Sequence, residues 1–521
     1  MRDKDLLLGI DIGTTGTKCS VYDFRGKRAA SAYREYPMIH PRPGWTEQDP
    51  SRWWDAVCRN LQTIFQSHNI DKNRIAAVGT SSTNAVVLVD RQGQPVCNAI
   101  SLHDQRSGPQ AEWLKENIGE ERIRALAANR IANGSFCLPA LRWLVENRPD
   151  LIKGAYKLMV PCGYVIQTLT GEFTMNRPRM SLTLMADIRT GQWDTEIAEQ
   201  TGLPARLLPS PCGSAEIVGT VTEWAASMTG LAAGTPVTGG TIDTVAATIG
   251  AGAVAEGDFA LTIGSSGRLC SIAGQPMEDP RLLNICGAYD GQYIIVQSTN
   301  NACVSLRWFR DTFGGEAARE AQAAGCGIYP YLDRLAAAAP AGAGGLIWLP
   351  YLAGEQSPVW DTQARGVFYG AGLETDYPSF IRAVLEGVAF SQRHCLEVVL
   401  DQAARPDIIP LGGGAANSPL WCRIFADVLG LPVARLRSNE TETLGDIIIA
   451  AQAMGIHEIA PDFGKVLAAD GEVFWPDDVR ASVYDRQYRV YRELYQALKP
   501  VFAGGGEQLN YVIRQPRPTW P

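Results

Sequence analysis

The chain opens on an unbroken apolar run, residues 6–10, closed by Asp11. A short run of this kind, bounded by a turn, predicts a buried strand. A Gly- and Thr-rich turn follows, residues 19–23 restore strand patterning, and Gly26 ends it. The prediction is a β-hairpin whose tip carries Asp, Gly, Thr and Lys. Further strands are predicted at 74–81 and 85–90, the second followed by the polar turn Gln92-Gly-Gln-Pro95. Helical patterns mark 51–65, 138–146 and 378–400. Helices interleaved with strands predict an α/β fold with a substantial sheet.

The small-residue run GAGAVAEG at 250–257 precedes a strand at 259–263, a Gly/Ser turn at 264–267 and a strand at 269–272. This repeats the opening plan of strand, small polar turn, strand. It reads as an internal duplication, two domains each presenting a phosphate-sized turn at one end of a sheet. Two unrelated hairpins are the plainer alternative. The Ala/Gly-rich stretch 336–345 is expected to be a surface loop. Val479, Val483, Gln487 or Tyr488, Tyr491, Leu494 or Tyr495, and Leu498 fall at helical spacing and predict a packed amphipathic helix. The tail after Gly504 is expected to be a loosely tied terminus.

Composition narrows the function classes. A chain of 521 residues allows about three average domains of roughly 150 residues, or two large ones. The apolar fraction of 46% and charged fraction of 20% are those of a globular enzyme. A net charge of −8 argues against nucleic acid, which calls for a basic face. The acidic N-terminus does not fit a secretory signal, and no apolar stretch is long enough to span a bilayer, so no membrane association is expected. The 12 cysteines include no CxxC pair, and the 5 histidines no HxxxH or HExxH spacing. Free thiols in a reducing cytoplasm are therefore expected, with neither a zinc site nor a disulfide framework.

Four segments carry chemistry. In Asp11-Ile-Gly-Thr-Thr-Gly-Thr-Lys18, glycines let backbone N–H groups approach a phosphate, threonines add donors, Lys18 adds charge, and Asp11 could hold magnesium through water. A polar hairpin tip is the plain alternative, and the segment is no Walker A loop. In Gly239-Gly-Thr-Ile-Asp243, the carboxylate sits where an apolar helix begins. It either caps that helix or accepts the proton of a substrate hydroxyl. The triple glycine of 412–414, before the Ser418-Pro419 helix start, would let a flat ring such as the nucleoside end of ATP lie on the backbone. A structural glycine turn is its alternative. The helix beyond is expected to bury Leu420, Trp421, Ile424, Phe425 and Val428. His103-Asp-Gln-Arg106 offers groups that grip sugar hydroxyls, against the plain reading of an exposed Asp104–Arg106 salt bridge. Glu47 and Asp49 fit decoration of a helix start.

Taken together and in order, these segments resemble the FGGY family of carbohydrate kinases over nearly the whole chain, residues 9 to about 455. The resemblance rests on DIGTTGTK at 11–18, WTEQDP at 45–50, HDQRS at 103–107, DIRTGQWD at 187–194, GLAAGTPVTGGTID at 230–243 and LTIGSSG at 261–267. It continues through NNACVSLRWFRD at 300–311, LPYLAGEQSPVWDTQARGVFYG at 349–370, RAVLEGVAF at 382–390 and GGGAANSPLW at 412–421. It implies two actin-like, ribonuclease-H-like ATPase domains with the active site in the cleft between them. Residues 1–253 would carry the substrate site and first phosphate loop, and 254–505 the second phosphate loop and adenosine site. By position, Asp243 would be the catalytic base and Asp11 the magnesium-linked aspartate. Gly13, Thr14, Thr15 and Lys18 would form the first phosphate loop, Gly264 and Ser265 the second, and Gly413, Gly414 and Ala415 the adenosine turn. Asp104 would bind substrate hydroxyls, beside Asp243 and Asn84.

The departures cluster on the substrate side. Ser82-Thr-Asn-Ala85 stands where xylulose kinases have a Gln-Met-His-Gly run, so Asn84 replaces a substrate-touching His, and the Arg-Glu pair of glycerol kinases is missing too. Leu102 replaces a tryptophan and Ala140 a lysine. The implied activity is ATP- and Mg²⁺-dependent phosphorylation of a small sugar, a ketopentose such as xylulose. Gluconate or a short polyol such as erythritol is the alternative substrate, and a homodimer is one open assembly. A non-catalytic actin-like nucleotide switch is the rival from another class. A nicotinamide oxidoreductase is a remote third class, because no GxGxxG with an acidic residue about 20 positions on follows the first strand.

Overall fold

The structure, a computed structural model, describes residues 4–436, 440–465 and 471–509. The chain forms two compact units. One comprises Met1–Asp258, Ser271–Ile295 and Glu440–Leu467, the other Phe259–Cys270, Val296–Asn439 and Ala468–Pro521. The units do not follow a single cut in the sequence.

In the first unit the main sheet contains β1 (Leu6–Ile12), β2 (Gly16–Asp23), β3 (Arg28–Glu35), β4 (Ile75–Ser82), β5 (Ile217–Thr220), β6 (Pro236–Thr238) and β7 (Thr241–Ile242). The spatial order is β5-β6-β4-β1-β2-β3, with β7 also paired to β4. β1 and β2 form the predicted hairpin, and β4, β6 and β7 run parallel to their partners in the centre. Leu7, Leu8, Ile10 and Ile12 of β1 are all buried, which explains an apolar run without alternation: the strand is covered on both faces. The helix Pro50–Ser67 starts where its sequence signal lies, with Asp49 Oδ1 accepting the Ser51 N–H at 2.9 Å.

Two helices far apart in sequence, Asp243–Gly250 and Thr441–Ala453, pack on each other, and the second also covers β1 and β4. The contact is glycine on backbone. A Cβ at Gly445 would overlap the Ala246 carbonyl, and one at Gly250 the Thr441 carbonyl.

The strand–turn–strand plan recurs in β8 (Phe259–Ile263) and β9 (Gly267–Ala273); β8, the turn and β9 up to Cys270 belong to the second unit, and β9 from Ser271 to the first. β8 runs parallel to β10 (Ile409–Gly412), with Leu261 opposite Leu411, and β10 runs parallel to β11 (Val433–Arg435). The helix Tyr377–Leu400 is capped by Asp376, whose Oδ1 accepts the Ser379 N–H at 3.0 Å.

Three expectations need correction. The helix Pro419–Leu429 buries Trp421, Ile424, Phe425 and Val428, but Leu420 is half-exposed. The stretch 336–345 is not all loop, because the helix Ile328–Ala338 runs into it; alanine is the strongest helix former. The final helix, Asp478–Leu509, buries Tyr484, Tyr488, Tyr491 and Tyr495, while Val479 is 76% exposed. Aromatic bulk outweighs the small β-branched side chain there, and the Tyr491 hydroxyl meets that of Tyr351 at 2.7 Å. The expected loose tail lies partly in that helix and, from residue 510, outside the described residues.

Candidate active site

In the first unit β1, β4 and β7 end side by side. Asp11 is in register with Ser81, and Thr241 and Ile242 with Ser81 and Ser82. The carboxyl ends of adjacent parallel strands are where open α/β sheets collect ligands. Asp11 and the residue after β7, Asp243, therefore flank the end of β4.

Asp243 opens its helix, but the cap position belongs to Ile242, which makes no side-chain cap bond. Asp243 Oδ1 instead accepts the N–H of its neighbour Thr244 at 2.5 Å and the Thr244 hydroxyl at 3.0 Å. A capping carboxylate would sit one residue earlier and reach two or three residues on. The helix-cap reading thus loses its usual geometry, and the Thr244 contacts fix the carboxylate's orientation.

Asp11 accepts the Ser81 hydroxyl at 3.3 Å. Burial, followed by the charges of Glu442 and Asp243, pushes its carboxyl well above the ordinary range; the Ser81 hydroxyl and Lys18 act against this. The same Ser81 hydroxyl lies 3.1 Å from Asp446 Oδ2. Asp446 is 1% exposed, its Oδ1 has no hydrogen-bond partner among the described residues, and burial and then Asp11 push its carboxyl up as well. The sequence reading missed Glu442 and Asp446. The signal available was two acids at i and i+4 on an otherwise apolar helix, which places them on one face.

The first turn is held from below. The Gly13 N–H donates to the Gly16 carbonyl at 3.0 Å, Tyr36 Oη to the Gly13 carbonyl at 2.6 Å, and Gln48 Nε2 to the Thr14 carbonyl at 2.7 Å. The Thr14 hydroxyl meets that of Thr83 at 3.1 Å, and Thr15 Oγ1 lies 3.3 Å from Tyr33 Oη. Lys18 stands directly across from Asp11 in the hairpin register, with its Nζ 3.7 Å from Glu440.

In the second unit the candidate phosphate turn and adenosine turn are neighbours, because β8 and β10 are parallel and end together at Thr262 and Gly412. The Gly264 carbonyl accepts the Cys303 N–H at 2.9 Å, and the Ser265 carbonyl accepts Ala302 N–H at 3.1 Å. This anchors the turn to the start of the helix Cys303–Phe313. Ser265 is exposed, with its hydroxyl 3.3 Å from Arg307 Nη2. Gly413 has φ +82°, and a Cβ there would press on the Ile263 backbone, so only glycine fits beside β8. Gly414 lies against Cys303, and Ala415 is buried.

On the substrate side Asn84 and Asp104 line one small cavity with Ser101, Leu102 and Ala140. Asn84 Nδ2 donates to the Ser135 carbonyl at 2.8 Å, and its Oδ1 lies 3.6 Å from the Cys137 thiol. The Asp104–Arg106 pair expected as an exposed bridge is buried, with side chains 1% and 3% exposed. Asp104 Oδ1 accepts Arg106 N–H and Nε, each at 2.9 Å, and Oδ2 accepts Thr46 N–H at 2.6 Å and Arg106 Nη2 at 2.7 Å. Those four bonds use the roughly four acceptor positions of a carboxylate. Arg106 also donates to Glu47 at 2.8 Å and lies 3.8 Å over the Trp45 ring, which gives Glu47 a partner beyond helix-start decoration. Arg106→Ala would strand the buried Asp104 charge, and is expected to cost about 3–5 kcal/mol in urea unfolding.

Two α/β units, each with a small-residue turn at the carboxyl ends of parallel strands, define an actin-like, ribonuclease-H-like ATPase architecture. Family models for the N-terminal and C-terminal domains of the FGGY family of carbohydrate kinases match residues 6–250 and 260–454. A xylulose kinase of Bacillus subtilis (strain 168) is 28% identical over 499 residues, covering 95% of this chain and 97% of its own. The crystal structure of xylulose kinase from Rhodospirillum rubrum aligns with a TM-score of 0.87 at 30% identity, covering 96% of this chain and 100% of that one. That of gluconate kinase from Lactobacillus acidophilus aligns with a TM-score of 0.88 at 26% identity, covering 96% and 99%. The chain belongs to the FGGY family of carbohydrate kinases. It is a sugar kinase that transfers a phosphoryl group from ATP to an alcohol, and the nucleotide-switch alternative is set aside. No described helix is long and apolar enough to cross a membrane.

Proposed function

We propose that the chain phosphorylates a hydroxyl of a ketopentose such as xylulose, with Asp243 as the base. The observation that carries the role of Asp243 is its place after β7, beside Asp11 at the end of β4, in an orientation fixed by Thr244. The ketopentose rests on the names of the relatives at near-full coverage. Gluconate is the second reading, carried by the gluconate kinase likeness, and a short polyol such as erythritol is a third.

In this reading Asp243 takes the hydroxyl proton as that oxygen forms its bond to the γ-phosphorus and ADP departs. Gly13, Thr14, Thr15 and Lys18, with Gly264 and Ser265, hold the phosphates, and Gly413, Gly414 and Ala415 the adenosine. Residues 1–253 and 254–505 form the two functional halves. A Mg²⁺ ion would suit the first-unit cluster, where burial and neighbouring carboxylates push Asp11 and Asp446 up and where Asp446 Oδ1 has no hydrogen-bond partner among the described residues. Asp11 would hold such an ion through water. Such an ion would neutralise charge on the phosphates. Asn84 and Asp104 belong to the substrate side, Asp104 reaching a hydroxyl only by giving up one of its four donors. A reducing cytoplasm is part of the proposal, in keeping with 12 cysteines that include no CxxC pair. A homodimer is part of the proposal, checked by light scattering.

A coupled ADP-release screen over ketopentoses, gluconate and tetritols tests the substrate. The highest kcat/KM is expected with a ketopentose; a preference for gluconate would replace the first reading with the second.

A further inference from the structure

Within the second unit Glu355 is buried, 2% exposed, in a loop between the strand Ile347–Leu349 and the helix Tyr377–Leu400. Its Oε1 accepts two backbone N–H groups, from Asn300 at 2.5 Å and Gln356 at 2.9 Å. Its Oε2 has no hydrogen-bond partner among the described residues within bonding geometry, although the Asn301 side chain lies near enough to act on the carboxyl. Among the described residues the ionisable groups near it are Tyr351, Tyr491 and Cys395, all uncharged at neutral pH, and Asp361, whose backbone pairs with its own; no cation is among the groups acting on it. Burial accordingly pushes the Glu355 carboxyl up to about 8.

The segment that Glu355 grips leads straight to the candidate phosphate turn. Asn301 Nδ2 donates to the Gly354 carbonyl at 2.7 Å, and the Ala353 N–H donates to Asn301 Oδ1 at 3.2 Å, so residues 300–301 and 353–356 are locked together. The next two N–H groups, Ala302 and Cys303, hold the Ser265 and Gly264 carbonyls. Any shift at Asn300 is passed within two residues to that turn.

We infer that Glu355 is a positioning residue for nucleotide binding, which fixes residues 300–303 and through them the Gly264–Ser265 turn. This rests on the reading of that turn as a phosphate site. Ionisation would place an unpaired charge in the interior, and the least costly relief is movement of the 300–303 segment. The linkage sign follows. The raised carboxyl stabilises the fold fully below about 4.5, its ordinary value, and the contribution is lost as pH rises through about 8.

The test is calorimetric binding of ATP and, separately, of the preferred sugar, from pH 6.5 to 9.5, for the wild type, Glu355→Gln and Glu355→Ala. The wild-type Kd for ATP is expected to rise on passing pH 8. Glu355→Gln, neutral and of the same shape, should bind ATP within about twofold of wild type at pH 7 and lose the alkaline rise. Glu355→Ala leaves two N–H groups unserved and should weaken ATP about tenfold, with sugar binding unchanged. An alkaline rise that persists in Glu355→Gln, or an alanine effect equal for both ligands, overturns the assignment. Should Glu355→Ala not fold, the Gln profile decides. Should ATP binding follow the expected pattern while no ketopentose is phosphorylated, the assignment stands and the ketopentose reading fails.

Discussion

Asp243→Asn is expected to lower kcat by about a hundredfold or more while leaving fold and ATP affinity near wild type. Asparagine keeps the shape of the side chain and can still accept the Thr244 hydroxyl and N–H, so the local geometry of the helix start is preserved. What it loses is the capacity to take a proton from the attacking hydroxyl. The comparison of kcat with the Kd for ATP therefore separates chemistry from architecture. Activity above about a hundredth of wild type would show that the proton goes elsewhere.

Gly445→Ala is expected to produce the largest stability loss of any single methyl addition in the first unit. A helical glycine replaced by alanine normally gains about 1 kcal/mol from propensity. Here the added Cβ would overlap the Ala246 carbonyl, a backbone atom that cannot rotate away. Overpacking of this kind costs about 3 kcal/mol, so the clash outweighs the propensity gain. Gly154→Ala, at a helical glycine with open space around its Cβ, is the control and should be neutral or slightly stabilising. Because Ala246 sits one turn after Asp243, residual folded Gly445→Ala should also lose kcat. Urea unfolding monitored by tryptophan fluorescence, beside turnover, reads both effects.

The elements most legible in the sequence were those with a local signal. β1 and its turn announce themselves through an apolar run ending in Asp11, and Pro50–Ser67 through Asp49 and Pro50. Asp243 was legible as a position, yet its role depended on β7 lying beside β4, a pairing across about 160 residues that no local pattern encodes. The helix carrying Glu442 and Asp446 was passed over for the same reason. Its text, Thr-Leu-Gly-Asp-Ile-Ile-Ile, reads as core, and only the fold brings it to Asp11 across more than 430 residues. Asp104 illustrates the converse: the sequence showed its partner, Arg106, but not that burial would use every acceptor position it has. Charge pairing is local in sequence; desolvation is set by the fold.

The central claim is a phosphoryl transfer from ATP to a sugar hydroxyl that depends on Asp243. The direct measurement is ³¹P NMR of purified protein with ATP, Mg²⁺ and xylulose, run beside Asp243→Asn and beside a mixture without sugar. The account predicts a new phosphomonoester resonance, matched in amount by ADP, only in the wild-type mixture that contains sugar. ATP hydrolysis to ADP and inorganic phosphate at the same rate with and without any sugar of the panel, unchanged in Asp243→Asn, would contradict it.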